Sequence, residues 1–275
     1  KAPPRNVIKA PPRDFMKENV DRWNAALERA GGDFAAWEKK VAPFHDDVRQ
    51  ALESRPAEFS GIVGLDGFLF FRRSLEVFVA GDLRKQKEGL NPFPVIVGFK
   101  KQLDDRGIDL LFCPIPVKAA VMPGKLSANA PPASGPYVNP YTTKLLAELA
   151  EAGVECVDLM PAFMAERDKP ATEPFYMKLD THWSHRALRV AASVFAERIK
   201  GYDWYPELVK EPVAYTVKKV TVKRRGDIVV GPRMLPAAER IKYAPMKLHA
   251  EQVLKPDGSF YKDDESSPIV VLGDS

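Results

Sequence analysis

Apolar residues recur at helical spacing in two stretches near the start of the chain. In "DFMKENVDRWNAALERAGG", Phe15, Val20, Trp23, Ala26 and Leu27 share one face, and Gly31-Gly32 stops the run. "DFAAWEKKVAPFHDDVRQALESR" continues the same spacing, and Pro43 predicts a break inside it. The period then changes. "GIVGLDGFLFF" (61–71) reads as two short strands around an Asp66-Gly67 turn. From there helical and continuous apolar runs alternate: a helix over 92–106 ending at Gly107, a buried strand over 108–117, and a helix over 141–153 with Leu145, Leu146 and Leu149 on one face. A strand over 154–160 follows. Residues 184–201 then form a helix with Leu188, Ala191, Ala192, Phe195 and Ile199 inward and Ser184 as its N-cap. "PIVVLGDS" (268–275) reads as a last strand running into a turn.

Strands alternating with helices predict an α/β fold of three layers, a parallel central sheet with helices on both faces. Residues 202–267 interrupt the alternation with charged, hairpin-like sequence and read as a β-rich insertion. "KAPPR" occurs twice in residues 1–13, and its proline pairs favour an extended arm. The organisation is therefore an arm (1–13), a helical extension (14–60) and a main domain (61–275). The loop 122–141 lacks periodicity, and loops of that length are usually functional or mobile.

Composition narrows the function classes. The net charge of +4 gives no reason to invoke nucleic acid but suits an anionic ligand such as an acidic polysaccharide. No apolar run approaches the ~18 residues of a membrane span. Cys113 and Cys156 lie in separate strand-like runs and read as buried free thiols, with a disulfide between neighbouring strands as the alternative. Neither has a histidine nearby in sequence, so no metal site is expected there.

The candidate chemistry lies in "LDTHWSH" (179–185). In an extended segment Asp180 and His182 point to the same side, so the carboxylate can hold one imidazole tautomer. Trp183 would wall the site. A lone D-x-H also fits a capped turn with a solvated histidine. The end of the chain shifts the balance: "VVLGDS" sets Ser275 on a strand-to-turn corner, with Gly273 for the tight turn and backbone N–H groups around Asp274 for an oxyanion. A serine needs a base. His182 is the candidate, because His45 lies in a charged helix, His185 inside a helix and His249 in the insertion.

These motifs carry a resemblance. "GDS" after an apolar strand, with D-T-H-W before it, resembles the alginate O-acetyltransferase branch of the SGNH hydrolase superfamily. "GLDGFLFF", "CPIPVKAAVMPGKL", "YMKLDTHWSHRA" and "RRGDI" extend the likeness over 61–275. In most SGNH esterases the order is reversed, serine first. The resemblance implies an SGNH-like α/β/α fold and a periplasmic or extracytoplasmic place, with membrane association through a segment preceding Lys1. It implies acetyl transfer to exopolysaccharide hydroxyls, the acetyl group being supplied by a membrane-bound acyltransferase. Ser275 would be nucleophile, His182 base and Asp180 its orienter, with no cofactor. Lys118 and Arg225 become candidate substrate contacts, against a structural lysine and a turn residue. The basic run 218–225 reads as an edge strand with a solvated face or as a surface for a polyanionic glycan. The family's helix after the serine is missing, so the sequence is expected to be part of a longer protein. An acetylesterase and a non-catalytic polysaccharide-binding scaffold remain the alternatives.

Overall fold

The computed structural model describes residues 15–87, 89–171, 173–210, 212–262 and 267–273. The proposed arm (1–13), Asp274 and Ser275 lie outside the described residues. Helix α1 (Phe15–Ala30) ends where expected: Gly31 and Gly32 take φ of 104° and 98°, and the Gly32 N–H donates to the Leu27 carbonyl at 2.8 Å. Helix α2 (Phe34–Glu53) begins at Asp33, whose carboxylate accepts from the Ala36 N–H at 2.7 Å.

Pro43 does not break α2. The helix runs through it, with Pro43 exposed and Trp37, Val41, Phe44 and Val48 buried on the other side. A proline inside a helix costs about 3 kcal/mol. Four buried side chains at about 1.5–3 kcal/mol each outweigh it. The loop over 122–141 is also packed rather than open. Arg29 donates to the Gly135 carbonyl, Trp37 Nε1 to that of Tyr137 at 2.6 Å, and His45 lies 2.6 Å from that of Val138.

Strands β1 (Gly61–Val63) and β2 (Leu69–Phe71) pair antiparallel around a 3-10 turn, as the sequence predicts. Helices α3 (Arg72–Val79) and α4 (Pro92–Asp104) follow, then β3 (Leu111–Phe112), α5 (Lys118–Val121), α6 (Pro140–Glu151), β4 (Glu155–Cys156), α7 (Met160–Arg167) and α8 (His185–Lys200). Strands β3 and β4 pair in parallel, Leu111 opposite Glu155 and Phe112 opposite Cys156. Alternation sends Leu111, Cys113 and Val157 into the main core with Phe44, Phe78 and Phe163. Leu110, Phe112, Val154 and Cys156 go to the other face, against Leu145, Leu146 and Leu149 of α6 and Ile96 and Val97 of α4. Helices therefore cover both faces. Cys113 and Cys156 point to opposite faces, which excludes a bond between them; both are free.

The sheet is smaller than expected. Pro114 and Pro116 lack the N–H that would carry the ladder through 117. Residues 268–273 form no strand, and Val270, Val271 and Leu272 are 78%, 88% and 79% exposed. An apolar run becomes a strand by taking a ladder and a cover from its neighbours, and no described residue pairs with this one.

Helix α8 is also phased differently. Ala187, Ala191 and Arg198 are buried, whereas Leu188 and Ala192 face outward. The buried ion pair of Arg198 with Glu155, extended by the Tyr202 hydroxyl at 2.8 Å from the same carboxylate, turns that face inward. Ser184 occupies the N-cap position, but its hydroxyl makes no capping bond.

The insertion contains α9 (Tyr205–Leu208), β5 (Thr216–Arg224), α10 (Asp227–Val230), α11 (Ala237–Arg240) and β6 (Met246–Leu254). Strands β5 and β6 pair antiparallel along their whole length, from Thr216 opposite Leu254 to Arg224 opposite Met246. Between them Ile228, Val229 and Leu235 form a small core with Leu69 and Leu179, which plants the ribbon's base under the 175–184 segment. No helix among the described residues is long and apolar enough to cross a membrane.

Candidate active site

Residues 175–184 close on themselves before α8 begins. Tyr176 bridges antiparallel to Trp183, the Met177 N–H donates to the His182 carbonyl at 3.1 Å, and the Ser184 N–H to that of Phe175 at 2.9 Å. Leu179 anchors the tip in the small core beneath. Trp183 packs toward Phe163, ring centroids 6.1 Å apart, so its ring belongs to the main core as much as to the site.

Asp180 and His182 come together on this loop. Asp180 Oδ1 accepts from His182 Nδ1 at 2.6 Å and from the His182 N–H at 3.1 Å. Its Oδ2 accepts from the Asp227 N–H at 3.1 Å and pairs with Arg224 Nε at 2.9 Å. Asp180 is 0% exposed, so water shares in none of this. Burial alone would push its carboxyl up. The hydrogen bonds from the His182 ring and from two backbone N–H groups, with the Arg224 guanidinium, reverse that and hold it below the usual carboxylate range. A carboxylate only accepts, so the Nδ1 proton points at it and the lone pair stays on Nε2. The imidazole is 47% exposed, and Nε2 has no hydrogen-bond partner among the described residues.

Two of these partners were not recognised in the sequence. Asp227, read only as part of a turn, takes the Thr181 N–H on Oδ1 at 2.7 Å and the Thr181 hydroxyl on Oδ2, which lies 3.3 Å from His182 Nδ1. Arg224, not Arg225, reaches Asp180. Arg225 is exposed and has no ion pair or hydrogen bond among the described residues. The available signal was Gly226. It takes φ 83°, and a Cβ there would lie 2.1 Å from the Leu179 carbonyl oxygen, so the backbone contact between ribbon and loop demands glycine.

Lys118, read as a structural lysine or a substrate contact, lies in the interior as a clamp. Its ammonium is buried and donates to the carbonyls of Leu69 (2.7 Å), Met177 (2.7 Å) and Asp180 (2.5 Å). An ammonium has three protons, and none is left for a ligand. Burial lowers this group to about 7, against the pull of Asp180 and Asp227.

Asp180, His182 and Asp227 offer ligand atoms within 4.8 Å of one another, the compactness a cation site needs. Both oxygens of Asp180 are already taken by four donors, one of them a guanidinium, so the chemistry of the set favours orienting an imidazole over ligating a metal. The other histidines are employed elsewhere: His45 in the core, where burial lowers its pKa, and His185 with Nε2 3.0 Å from the Glu251 carbonyl. His249 is exposed on β6. Ser275 and Asp274 lie outside the described residues, and Gly273 is exposed.

The chain shares this arrangement's fold with known proteins. It is 25% identical over 179 residues to the probable alginate O-acetylase AlgJ of Pseudomonas aeruginosa, a stretch that covers 64% of this chain and 41% of that relative. The chain thus spans well under half the length of that relative. Among solved structures it is similar to the O-acetyltransferase domain of Pseudomonas putida AlgJ, with a TM-score of 0.52 and 20% identity over 72% of this chain and 66% of that one. Pseudomonas aeruginosa AlgX gives a TM-score of 0.50 and 20% identity over 71% and 43% of the two chains. Residues 62–275 match the family described as SGNH hydrolase-like domain, acetyltransferase AlgX, and with most of its length inside that match the chain belongs to this family.

Proposed function

We propose that this chain is the acyl-transfer domain of an exopolysaccharide O-acetyltransferase, acting on an alginate-like acceptor outside the cytoplasm with acetyl groups supplied by a membrane-bound acyltransferase. Ser275 is the nucleophile, His182 the base and Asp180 the group that orients it. The observation that carries this reading is the His182 ring: Nδ1 is fixed 2.6 Å from a buried carboxylate, which leaves Nε2 half in solvent with its lone pair outward.

The chemistry balances as follows. His182 Nε2 takes the Ser275 hydroxyl proton while Oγ bonds to the acetyl carbonyl carbon, whose oxygen takes up the negative charge. The donor's leaving group departs with that proton, and acetyl-serine remains. A glycan hydroxyl then gives its proton to Nε2 and its oxygen attacks the ester. Serine leaves and recovers the proton. Throughout, Asp180 stays ionised and stabilises the imidazolium. Motif order, Asp-x-His before the serine, fits this branch of the family. Arg225, exposed beside Arg224, would contact the acceptor.

Incubation with 4-nitrophenyl acetate, acid quenching and intact mass spectrometry test the reading. The wild type should gain one acetyl group. Ser275→Ala should gain none, and His182→Ala should gain it about 10²–10⁴-fold more slowly. Added polyuronate oligosaccharide should discharge the adduct faster than water does. No adduct on the wild type, or equal rates in His182→Ala, would remove the triad; discharge to water alone would make the protein an esterase.

A further inference from the structure

Most of the charge on the ribbon of β5 and β6 has no partner among the described residues. Lys218, Lys219, Lys223 and Arg224 lie on β5, Arg225 follows directly, and Lys247 lies on β6. Against these six cations the two strands hold one carboxylate, Glu251, an excess larger than the net charge of +4 of the whole chain. Glu251 stands opposite Lys219 but is taken by Arg189 of α8 at 3.1 Å. Lys223 stands directly opposite Lys247. Like charges so placed cost about 0.2–1 kcal/mol. Lys218, Lys219, Lys223, Arg225 and Lys247 have no ion pair among the described residues. Two-stranded ribbons are marginal on their own. Stacking unpaired cations on one weakens it further, so the charge does not serve the fold.

Position says what it serves. Arg224, at the ribbon's base, pairs with Asp180, and Asp227 just beyond it binds the same carboxylate through its N–H. Alternation turns Arg224 toward Asp180 and sets Lys219, Lys223 and Lys247 on the other face of the ribbon, so the cations start beside the residue that holds Asp180 and run outward from Arg224 to Lys218 over seven residues, about 24 Å at about 3.4 Å per residue. A ligand lying along the ribbon and reaching His182 must be an extended anion that also bears hydroxyls. We propose that the β5–β6 ribbon is the binding strip for a carboxylated polysaccharide, which Lys219, Lys223, Lys247 and Arg225 grip by its repeated charges and feed toward His182. The proposal rests on the triad reading for the chemistry at its inner end. Lysines suit the task, since their compact, hydrated charges make exchangeable contacts that let a polymer shift by one unit at a time.

Isothermal titration of the chain with a polyuronate oligosaccharide, at low and raised salt, tests the strip. The triple variant Lys219→Gln/Lys223→Gln/Lys247→Gln should bind at least tenfold more weakly and melt no lower than the wild type. The matching Lys→Arg triple should keep its affinity, and wild-type binding should fall as salt rises. Undiminished binding by the glutamine variant overturns the proposal, as does equal affinity for neutral dextran oligosaccharide or tighter binding of RNA or anionic vesicles. No acetyl chemistry enters this measurement. A wild type that binds polyuronate through these lysines but takes up no acetyl group would keep the strip and sink the triad; acetyl uptake with undiminished binding by the glutamine variant would do the reverse.

Discussion

The loop at 177–182 and the ribbon that leans on it treat charge in opposite ways. In the loop, the buried Asp180 carboxylate has a donor for each of its contacts, and the Lys118 ammonium spends every proton on a carbonyl. On the ribbon, cations face water and, at Lys223 and Lys247, each other. A buried charge must be matched within the fold, because desolvating it unmatched costs several kcal/mol. An exposed charge can stay unmatched at small cost and remain available. The difference separates a device that fixes one ring from a surface that waits for a ligand, and substitutions on the two sides should differ in the sign of their effect on stability.

Lys118→Met should have the largest effect. It keeps the aliphatic bulk and removes all three donors, leaving the buried carbonyls of Leu69, Met177 and Asp180 short of a partner. The Met177 carbonyl keeps the Asp180 N–H at 3.4 Å, so two carbonyls are left unsatisfied, and at about 1–3 kcal/mol each the loss is at least about 2 kcal/mol. Chemical denaturation measures it, and a change under about 1 kcal/mol would mean that the clamp does not hold the loop. Backbone amide exchange across 177–182 should speed up more than exchange in α2, because the carbonyls concerned belong to the loop and to β2.

That clamp marks where the sequence stops being legible. The Asp180–His182 contact lies within one short segment, so alternation alone places the two groups together. Asp227 is 47 positions from Asp180, and nothing local to "RRGDI" distinguishes a plain turn from one whose N–H holds the Asp180 carboxylate; only the closeness of Gly226 to Leu179 does, and that is a tertiary fact. Lys118 precedes two alanines and a valine in an apolar run and carries no mark of burial. The phase of α8 fails for a related reason. Hydrophobic spacing counts Arg198 as a solvent residue, whereas its pairing with Glu155 makes it the inward corner of the helix. Helices α1, α2, α4 and α6, the β1–β2 hairpin and the two-faced β3–β4 pair are legible because each is set by burial at a regular period. The extent of the parallel sheet is not, because it depends on which distant strands meet.

Asp180→Asn comes second. The amide keeps the shape but loses the charge that faces Arg224 and His182. The Arg224 guanidinium and the His182 ring stay half in water, which limits the loss to about 1–3 kcal/mol at neutral pH. The pH dependence has a definite sign. The folded carboxyl sits below its ordinary value of 3.8, so in acid the unfolded chain takes up the proton first. The stabilisation is complete above about pH 4 and fades as pH falls through 3.8 and below. Wild type and Asp180→Asn should therefore converge in acid and stand furthest apart at neutral pH. Parallel pH curves would show that the carboxylate is not held as the geometry has it.

The smallest effect tests the comparison most directly, because its sign is reversed. Lys223→Gln removes one of two like charges that stand opposite each other and takes away no hydrogen bond or ion pair among the described residues. It should stabilise the protein by about 0.2–1 kcal/mol at low salt, and the gain should shrink as salt screens the repulsion. Lys247→Gln should do the same. The double variant should gain less than the sum, since either change alone relieves the one repulsion they share. Thermal melts at two ionic strengths resolve this. A destabilised Lys223→Gln would show that the lysine has a partner in the folded protein, and the ribbon would then resemble the loop, with its charge matched inside the molecule.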